Sequence, residues 1–292
     1  MKRGFTNYHG HLHYCDGKGT ADEYALAAIS YGMLACGFSS HAPLPYPIAW
    51  TMSQESLSAY AEEIESANAK YAGQLEIYRG LEVDYVPGLA GPSHQRLRDA
   101  RLDYTIGSIH LVDFFPDGRP WEIDGPHRHF LDGLNEIFHR DIQTAVERYY
   151  ELTREMIEKD PPDVVGHLDK IKMQNEEGTL FSEKAIWYQD AMEDTLQSIA
   201  QKGLIVEVNT RGIYKKKTAE TYPSPGVLRR MNELNIPVMI NSDAHHPREL
   251  TECFEETARL LLEVDYTHCR VLLEGKWQDL PLTTEGLVWE DA

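Results

Sequence analysis

Six short apolar runs in this chain lead into a histidine or a carboxylate, and that repetition constrains the fold more than any other feature of its 292 residues. The first run, Phe5–His9, continues into Gly10 and His11. Residues two apart on an extended chain point to the same side, so both imidazoles can reach one ion. Gly10 allows close backbone approach between them, and His13 and Asp16 follow in the same loop. The run Pro237–Ile240 leads into Asn241-Ser242-Asp243-Ala244-His245-His246, which repeats the spacing with Asp243 and His245. Between these ends stand GFSSHAP with His41, RGLEVDY with Glu82 and Asp84, TIGSIH with His110, and VVGHLDK with His167, Asp169 and Lys170. One such residue at a strand end is ordinarily a satisfied hydrogen-bonding group. Six of them have few explanations other than a shared site.

The runs alternate with amphipathic segments, the pattern of βα units around a parallel sheet, so the fold class is α/β. Strands are expected at Phe5–His9, Ala35–Ser39, Leu75–Val83, Tyr104–Ile109, Val164–Gly166, Leu204–Val208 and Pro237–Ile240. Seven strands suggest a TIM-like barrel, in which the C-terminal strand ends converge on one mouth. Asp141–Glu158 reads as a helix, with Ile142, Ala145, Val146, Tyr149, Leu152, Met156 and Ile157 on one face and Pro161 and Pro162 beyond its end. Thr51 and Gln54 are expected to form a capping box for the helix through Tyr60 and Ile64, and Ser182 to cap the one through Ile186 and Ile199. Residues 113–140 are longer than a usual βα connection, and their place just after His110 favours a lid over a packed excursion. With no repeat or Gly/Ser linker, residues 1–292 read as a single domain.

Lys and Arg number 28 against 47 Asp and Glu, a formal charge of -19 that disfavours a nucleic-acid partner, since such affinity comes largely from cations neutralising phosphates. Cys15, Cys36, Cys253 and Cys269 form no CxxC pair, which fits free thiols in a reducing compartment such as the cytoplasm. The N-terminus lacks a signal-peptide core and no stretch is long enough to span a bilayer, so neither export nor membrane insertion is expected. Mixed histidine and carboxylate ligation suits zinc, manganese or iron, whereas magnesium or calcium prefers an all-oxygen shell.

Taken together, HGHLH, the strand-end His41, GLEVD, GSIH, GHLD and NSDAH resemble the polymerase-and-histidinol-phosphatase (PHP) superfamily over nearly the whole chain. The chain length, the aromatic- and Gly-rich excursion after GSIH and the stretch EVNTRGIYKK from Glu207 look most like its histidinol-phosphate phosphatases. The resemblance implies a distorted seven-stranded (β/α)7 barrel holding three metal ions at its C-terminal mouth. His9, His11, Glu82 and Asp243 would hold one ion, and Glu82 would bridge to a second completed by His110 and His167. Asp16, His41 and His245 would hold the third, although some members carry His where Asp16 stands. His13 and His246 match no ligand position.

A hydroxide bridging two cations is a ready nucleophile at neutral pH, and the cations can neutralise the oxygens of a phosphate ester. The implied reaction is hydrolysis of L-histidinol phosphate to L-histidinol and phosphate, with Glu82, Asp243 and His245 in the catalytic centre and Arg211 holding phosphate. Lys170 is expected to face solvent, as lysines at helix starts commonly do. Asp113, Phe115, Trp121 and Glu176 are undifferentiated candidates for contacting a cationic amino alcohol. The alternatives are another PHP phosphoesterase, acting on a different small ester or a phosphodiester, and a non-catalytic module stabilised by its metals. Oligomeric state is left open.

Overall fold

The computed structural model describes residues 2–175 and 178–290. In chain order the elements are β1 (Lys2–Gly4), β2 (Thr6–Asn7), α1 (Ala21–Ser30), β3 (Ala35–Phe38), α2 (Leu57–Lys70), β4 (Glu76–Asp84), β5 (Tyr104–Ser108), β6 (Leu111–Phe114), β7 (Pro120–Glu122), α3 (His127–Glu136) and α4 (Ile142–Lys159). They continue with β8 (Val164–Val165), α5 (Ile186–Lys202), β9 (Ile205–Asn209), α6 (Arg211–Tyr214), α7 (Pro225–Glu233), β10 (Val238–Asn241), α8 (Phe254–Glu263), β11 (His268–Leu273), β12 (Lys276–Thr283) and β13 (Gly286–Trp289).

Seven of these strands form one parallel sheet in the order β10-β9-β8-β5-β4-β3-β2, at the seven places where the apolar runs predict strands. The sheet curls until its outer strands meet just past their ends. There the His11 amide donates to the Ala244 carbonyl at 2.7 Å and the Ala244 amide to the His9 carbonyl at 2.9 Å. The result is a nearly closed TIM-like (β/α)7 barrel. Its interior makes room for one large ring: a Cβ on Gly37 or Gly80 would lie 2.5 or 2.4 Å from atoms of Tyr104, whose hydroxyl donates to the Tyr8 carbonyl.

Helix α4 buries the periodic face read from sequence, including Tyr149, Leu152, Met156 and Ile157, and Asp141 caps it by accepting from the Thr144 amide at 3.1 Å. The other two expected caps do not form. Ser53, rather than Thr51, caps a short 3-10 turn ahead of α2, while Thr51 Oγ1 donates to the Ile48 carbonyl and Gln54 Nε2 to the Arg96 carbonyl. Ser182 accepts from the Lys184 amide in the turn before α5, whose own cap position, Ala185, has no side chain able to accept. In both places a preceding turn takes the hydroxyl that the capping pattern would give to the helix.

Residues 113–140 form most of the antiparallel β6–β7 hairpin and all of α3. Phe115, Trp121, Ile123, Phe130 and Leu134 are buried in the main apolar core, and a Cβ on Gly133 would lie 2.1 Å from the Trp121 indole. The segment is therefore a packed excursion with its own apolar anchor.

The antiparallel sheet β1-β13-β12-β11 was not among the strand expectations. Its residues alternate too weakly for a periodicity reading, and it joins the two ends of the described chain. Leu272, Leu280, Leu282 and Leu287 share the core of the barrel helices. Tyr8 fastens this sheet to the barrel floor, since its hydroxyl donates to the Leu272 carbonyl at 2.6 Å and accepts from the Leu272 amide at 3.1 Å. Replacing Tyr8 by Phe leaves two buried backbone groups unsatisfied. The expected cost is roughly 1–3 kcal/mol, read as a lower urea midpoint at unchanged slope.

Candidate metal centre

Each barrel strand delivers its polar side chains to the same mouth. β2 leads to His9 and His11, β3 to His41, β4 carries Glu82 and Asp84, β5 leads to His110, β8 to His167, β9 carries Glu207, and β10 leads to Asp243 and His245. Glu82 and Asp84 share a side because the strand period is two. Asp243 adopts φ +53, a left-handed conformation uncommon for a residue with a Cβ, in the turn that leaves β10.

Glu82 is the centre of the cluster. Its Oε1 lies 2.9 Å from His167 Nε2, 3.5 Å from His110 Nε2 and 2.7 Å from the Ser108 hydroxyl that donates to it. Its Oε2 lies 3.0 Å from His41 Nδ1 and 3.2 Å from His9 Nε2. Asp243 Oδ1 stands 3.2 Å from His11 Nε2 and 3.4 Å from His245 Nδ1. Asp16, more exposed than the rest, places Oδ1 3.2 Å from His245 Nε2 and 3.8 Å from His41 Nε2. All nine residues singled out by the motifs therefore meet in one place.

The decisive feature is what these atoms lack. His9 Nε2, His11 Nε2, His41 Nδ1, Glu82 Oε2 and Asp243 Oδ1 are buried and have no hydrogen-bond partner among the described residues. An unpaired buried polar atom is costly, and five gathered in one cluster fit bound cations. Sets of donor atoms lying within 4.8 Å of one another are His9, His11 and Asp243; Glu82, His110 and His167; His11, Asp16, His41 and His245; and His41, Asp84 and His110. The donor chemistry, imidazole nitrogen with carboxylate oxygen, suits transition metals.

The outer faces of the imidazoles are held as metal-binding histidines usually are. Glu207 Oε2 lies 2.7 Å from His9 Nδ1, Asp84 Oδ1 lies 3.1 Å from His110 Nδ1, and the Asp243 carbonyl lies 3.1 Å from His245 Nδ1. Glu207 also accepts from the His167 amide at 2.8 Å and from Asn209 and Asn241. From sequence, Asp84 is named beside Glu82 and Glu207 at the head of EVNTRGIYKK without a role for either; the structure places each behind an imidazole.

Burial opposes charge throughout the cluster, and neighbouring charges decide the outcome. Glu82 stays well below the ordinary carboxyl range because His41, His9 and His110 surround it. Asp243 is lowered well below its usual value, against burial, chiefly by His9 and Arg211. His9 is raised despite burial by Glu207, Asp243 and Glu82, whereas burial with His245 and His41 pushes His11 down. The carboxylates demand positive charge that the imidazoles supply unevenly; a metal cation would meet that demand and release protons.

A cavity of about 500 Å³ opens over the cluster. Arg211 lines it, donating from Nη1 to the Asp243 carbonyl at 2.7 Å with Nε 4.0 Å from Asp243 Oδ2. Lys170 does not face solvent as expected. The 3-10 turn Lys170–Gln174 packs it inward, with Nζ 3.0 Å from Asp124 Oδ2 and 3.2 Å from His110 Nε2. His13 stays exposed near Glu63, and His246 accepts from the Arg248 amide, so neither joins the cluster. Of the undifferentiated candidates, Phe115 and Trp121 are buried in the core, Asp113 accepts from the adjacent Phe114 amide, and Glu176 lies outside the described residues.

A barrel of this topology with histidine and carboxylate donors at its mouth defines a metal-dependent hydrolase of the PHP type. The PHP domain model matches residues 7–211, and the chain belongs to that family. Among individual proteins, the chain is 31% identical over 264 residues to one from Deinococcus radiodurans named "Probable histidinol-phosphatase", covering 89% of this chain and 94% of the relative. It is 26% identical over 263 residues to the histidinol-phosphatase of Bacillus subtilis, covering 84% and 96%. The crystal structure of histidinol phosphate phosphatase from Lactococcus lactis, complexed with Zn, L-histidinol and phosphate, shares the fold at TM-score 0.65 with 16% identity, covering 98% of this chain and 99% of that one. No helix among the described residues is long and apolar enough to cross a membrane.

Replacing Glu207 by Gln removes the carboxylate behind His9 while leaving every inward-facing donor in place. Metal affinity, measured by competition with a chelator, is expected to fall roughly 10–100-fold. Unchanged affinity would show that the His9–Glu207 contact has no part in metal binding.

Proposed function

We propose that this chain is a metal-dependent phosphomonoesterase that hydrolyses L-histidinol phosphate to L-histidinol and phosphate. The observation that carries the reading is the convergence of five buried, unpartnered donor atoms beneath a cavity that cationic side chains also line. The names of the relatives in Deinococcus radiodurans and Bacillus subtilis supply the substrate.

In this reading His9, His11, Glu82 and Asp243 hold one ion, Glu82, His110 and His167 a second, and Asp16, His41 and His245 a third, with zinc, manganese or iron as the metals. Bound there, the ions supply Lewis acidity, activating water and neutralising phosphate oxygens. The protein's own part is to place charge around the ester. Arg211, anchored by the Asp243 carbonyl and 3.8 Å from Glu249, keeps guanidinium donors for the phosphate. Lys170, fixed between Asp124 and His110, adds a second cation above the cluster. Glu82 and Asp243 hold the imidazoles in register, and His245 stands at the rim between Asp16 and Asp243. In this reading water, not a side chain, attacks phosphorus, and no phosphoenzyme forms. The four cysteines are free thiols, which suits the cytoplasmic setting this reading takes.

The test is phosphate release from purified, metal-reconstituted protein, with L-histidinol phosphate beside an aryl phosphate, a nucleotide and a phosphodiester. Strong preference for histidinol phosphate is the expected result. Equal or better turnover of another ester would discard the substrate and leave the hydrolase. Replacing Glu82 by Ala should abolish turnover and strip metal while the circular dichroism of the barrel persists, because Glu82 touches four of the imidazoles. Full activity at full metal content in that variant would remove Glu82 from the centre.

A further inference from the structure

The hairpin after His110 does more than fill space. β6 starts one residue beyond His110, and the returning strand pairs Glu122 with Leu111, while the Ile123 amide donates to the His110 carbonyl at 3.0 Å. Alternation along this strand sends Ile123 into the apolar core, fully buried, and turns Glu122 and Asp124 the other way, into the cavity they both line.

The two carboxylates differ in what holds them. Asp124 is taken up by Lys170, whose Nζ lies 3.0 Å away. Glu122 is half-buried, and no lysine, arginine or histidine among the described residues stands within ion-pair distance of it. Burial and the neighbouring Asp124 charge raise its pKa above the ordinary value, against the opposing pull of Trp50, His129 and His110. Trp50 itself lines the cavity, edge-on to His41 at 4.6 Å between ring centroids and to His110 at 5.4 Å. The cavity therefore has cationic side chains, Lys170 and Arg211, for a phosphate and one carboxylate, Glu122, that no ion pair among the described residues takes up, with Trp50 lining the same cavity.

We propose that Glu122 binds the positively charged end of the substrate and selects phosphate monoesters that carry a cation away from the phosphate. This rests on the proposed phosphatase reading and adds the residue that would read the amino or imidazolium group. A carboxylate in a cavity that an aromatic ring also lines suits either group, through an ion pair and a cation–π contact.

The experiment compares kcat/KM for L-histidinol phosphate and for an aryl phosphate lacking a cation, using the full-length, metal-reconstituted protein and the variants Glu122→Gln, Glu122→Asp and Asp117→Asn. Asp117 lies exposed on the same hairpin, paired with Arg119 at 2.7 Å, and its replacement changes the net charge by the same amount as Glu122→Gln. In Glu122→Gln the preference for histidinol phosphate should fall roughly tenfold or more, through a higher KM. L-Histidinol should also lose potency as a competitive inhibitor. Glu122→Asp should recover part of the preference, and Asp117→Asn should keep it whole. A wild type with no preference for the cationic ester would overturn the substrate reading, and this proposal with it. A wild-type preference that Glu122→Gln retains, at wild-type metal content, would overturn only the assignment of Glu122.

Discussion

Glu82 is buried at the centre of a ring of imidazoles, and the rest of the molecule is arranged around the cost of keeping it there. A carboxylate out of water is strongly unfavourable unless positive charge surrounds it. Here four histidine rings approach its two oxygens within 3.5 Å, and Ser108 donates to one of them. The rings come from β2, β3, β5 and β8, so the stability of the charge depends on those strands ending together. A cation bound there would satisfy the unpaired donors, and its binding and the stabilisation of the barrel mouth would be one thermodynamic event.

The barrel is held around that site from both ends. At the mouth, the His9–Gly10–His11 backbone bonds to Ala244, so the closure of the barrel and the meeting of the two short metal motifs are the same contact. At the opposite side, Tyr8 ties the barrel to the antiparallel sheet made from the two ends of the described chain. The hairpin and α3 pack Trp121 and Phe130 into the core and turn the opposite face of the returning strand toward the cavity. The excursion is in this way a packed part of the cavity wall.

Charge at the level of composition and charge at the level of the site point in different directions. The chain carries a formal -19, yet Lys170, Arg211, Lys215 and Lys217 all line one cavity. Net charge, summed over the whole surface, says nothing about the local field over the donor cluster, which a few side chains dominate at short range.

Periodicity made the seven barrel strands legible because each is a short apolar run ending in a polar residue that an ordinary core would not keep, and helix α4 because its stripe spans many turns. Local patterns failed where turns competed for the same side chain: Ser53 took the capping role expected of Thr51, and Lys170 turned inward because its 3-10 turn faces Asp124. Glu207 and Asp84 could be named from sequence but given no role, because a carboxylate at a strand end shows its purpose only when the imidazole it supports is beside it. Residue type and spacing by themselves determined the fold class, the strand ends and the polar side chains that gather at the barrel mouth, since these depend on interactions a few residues apart. Which side chains stand within reach of one another, which carboxylates back an imidazole and which one has no ion pair among the described residues were decided only by the closed barrel, because those contacts join strands far apart in the chain.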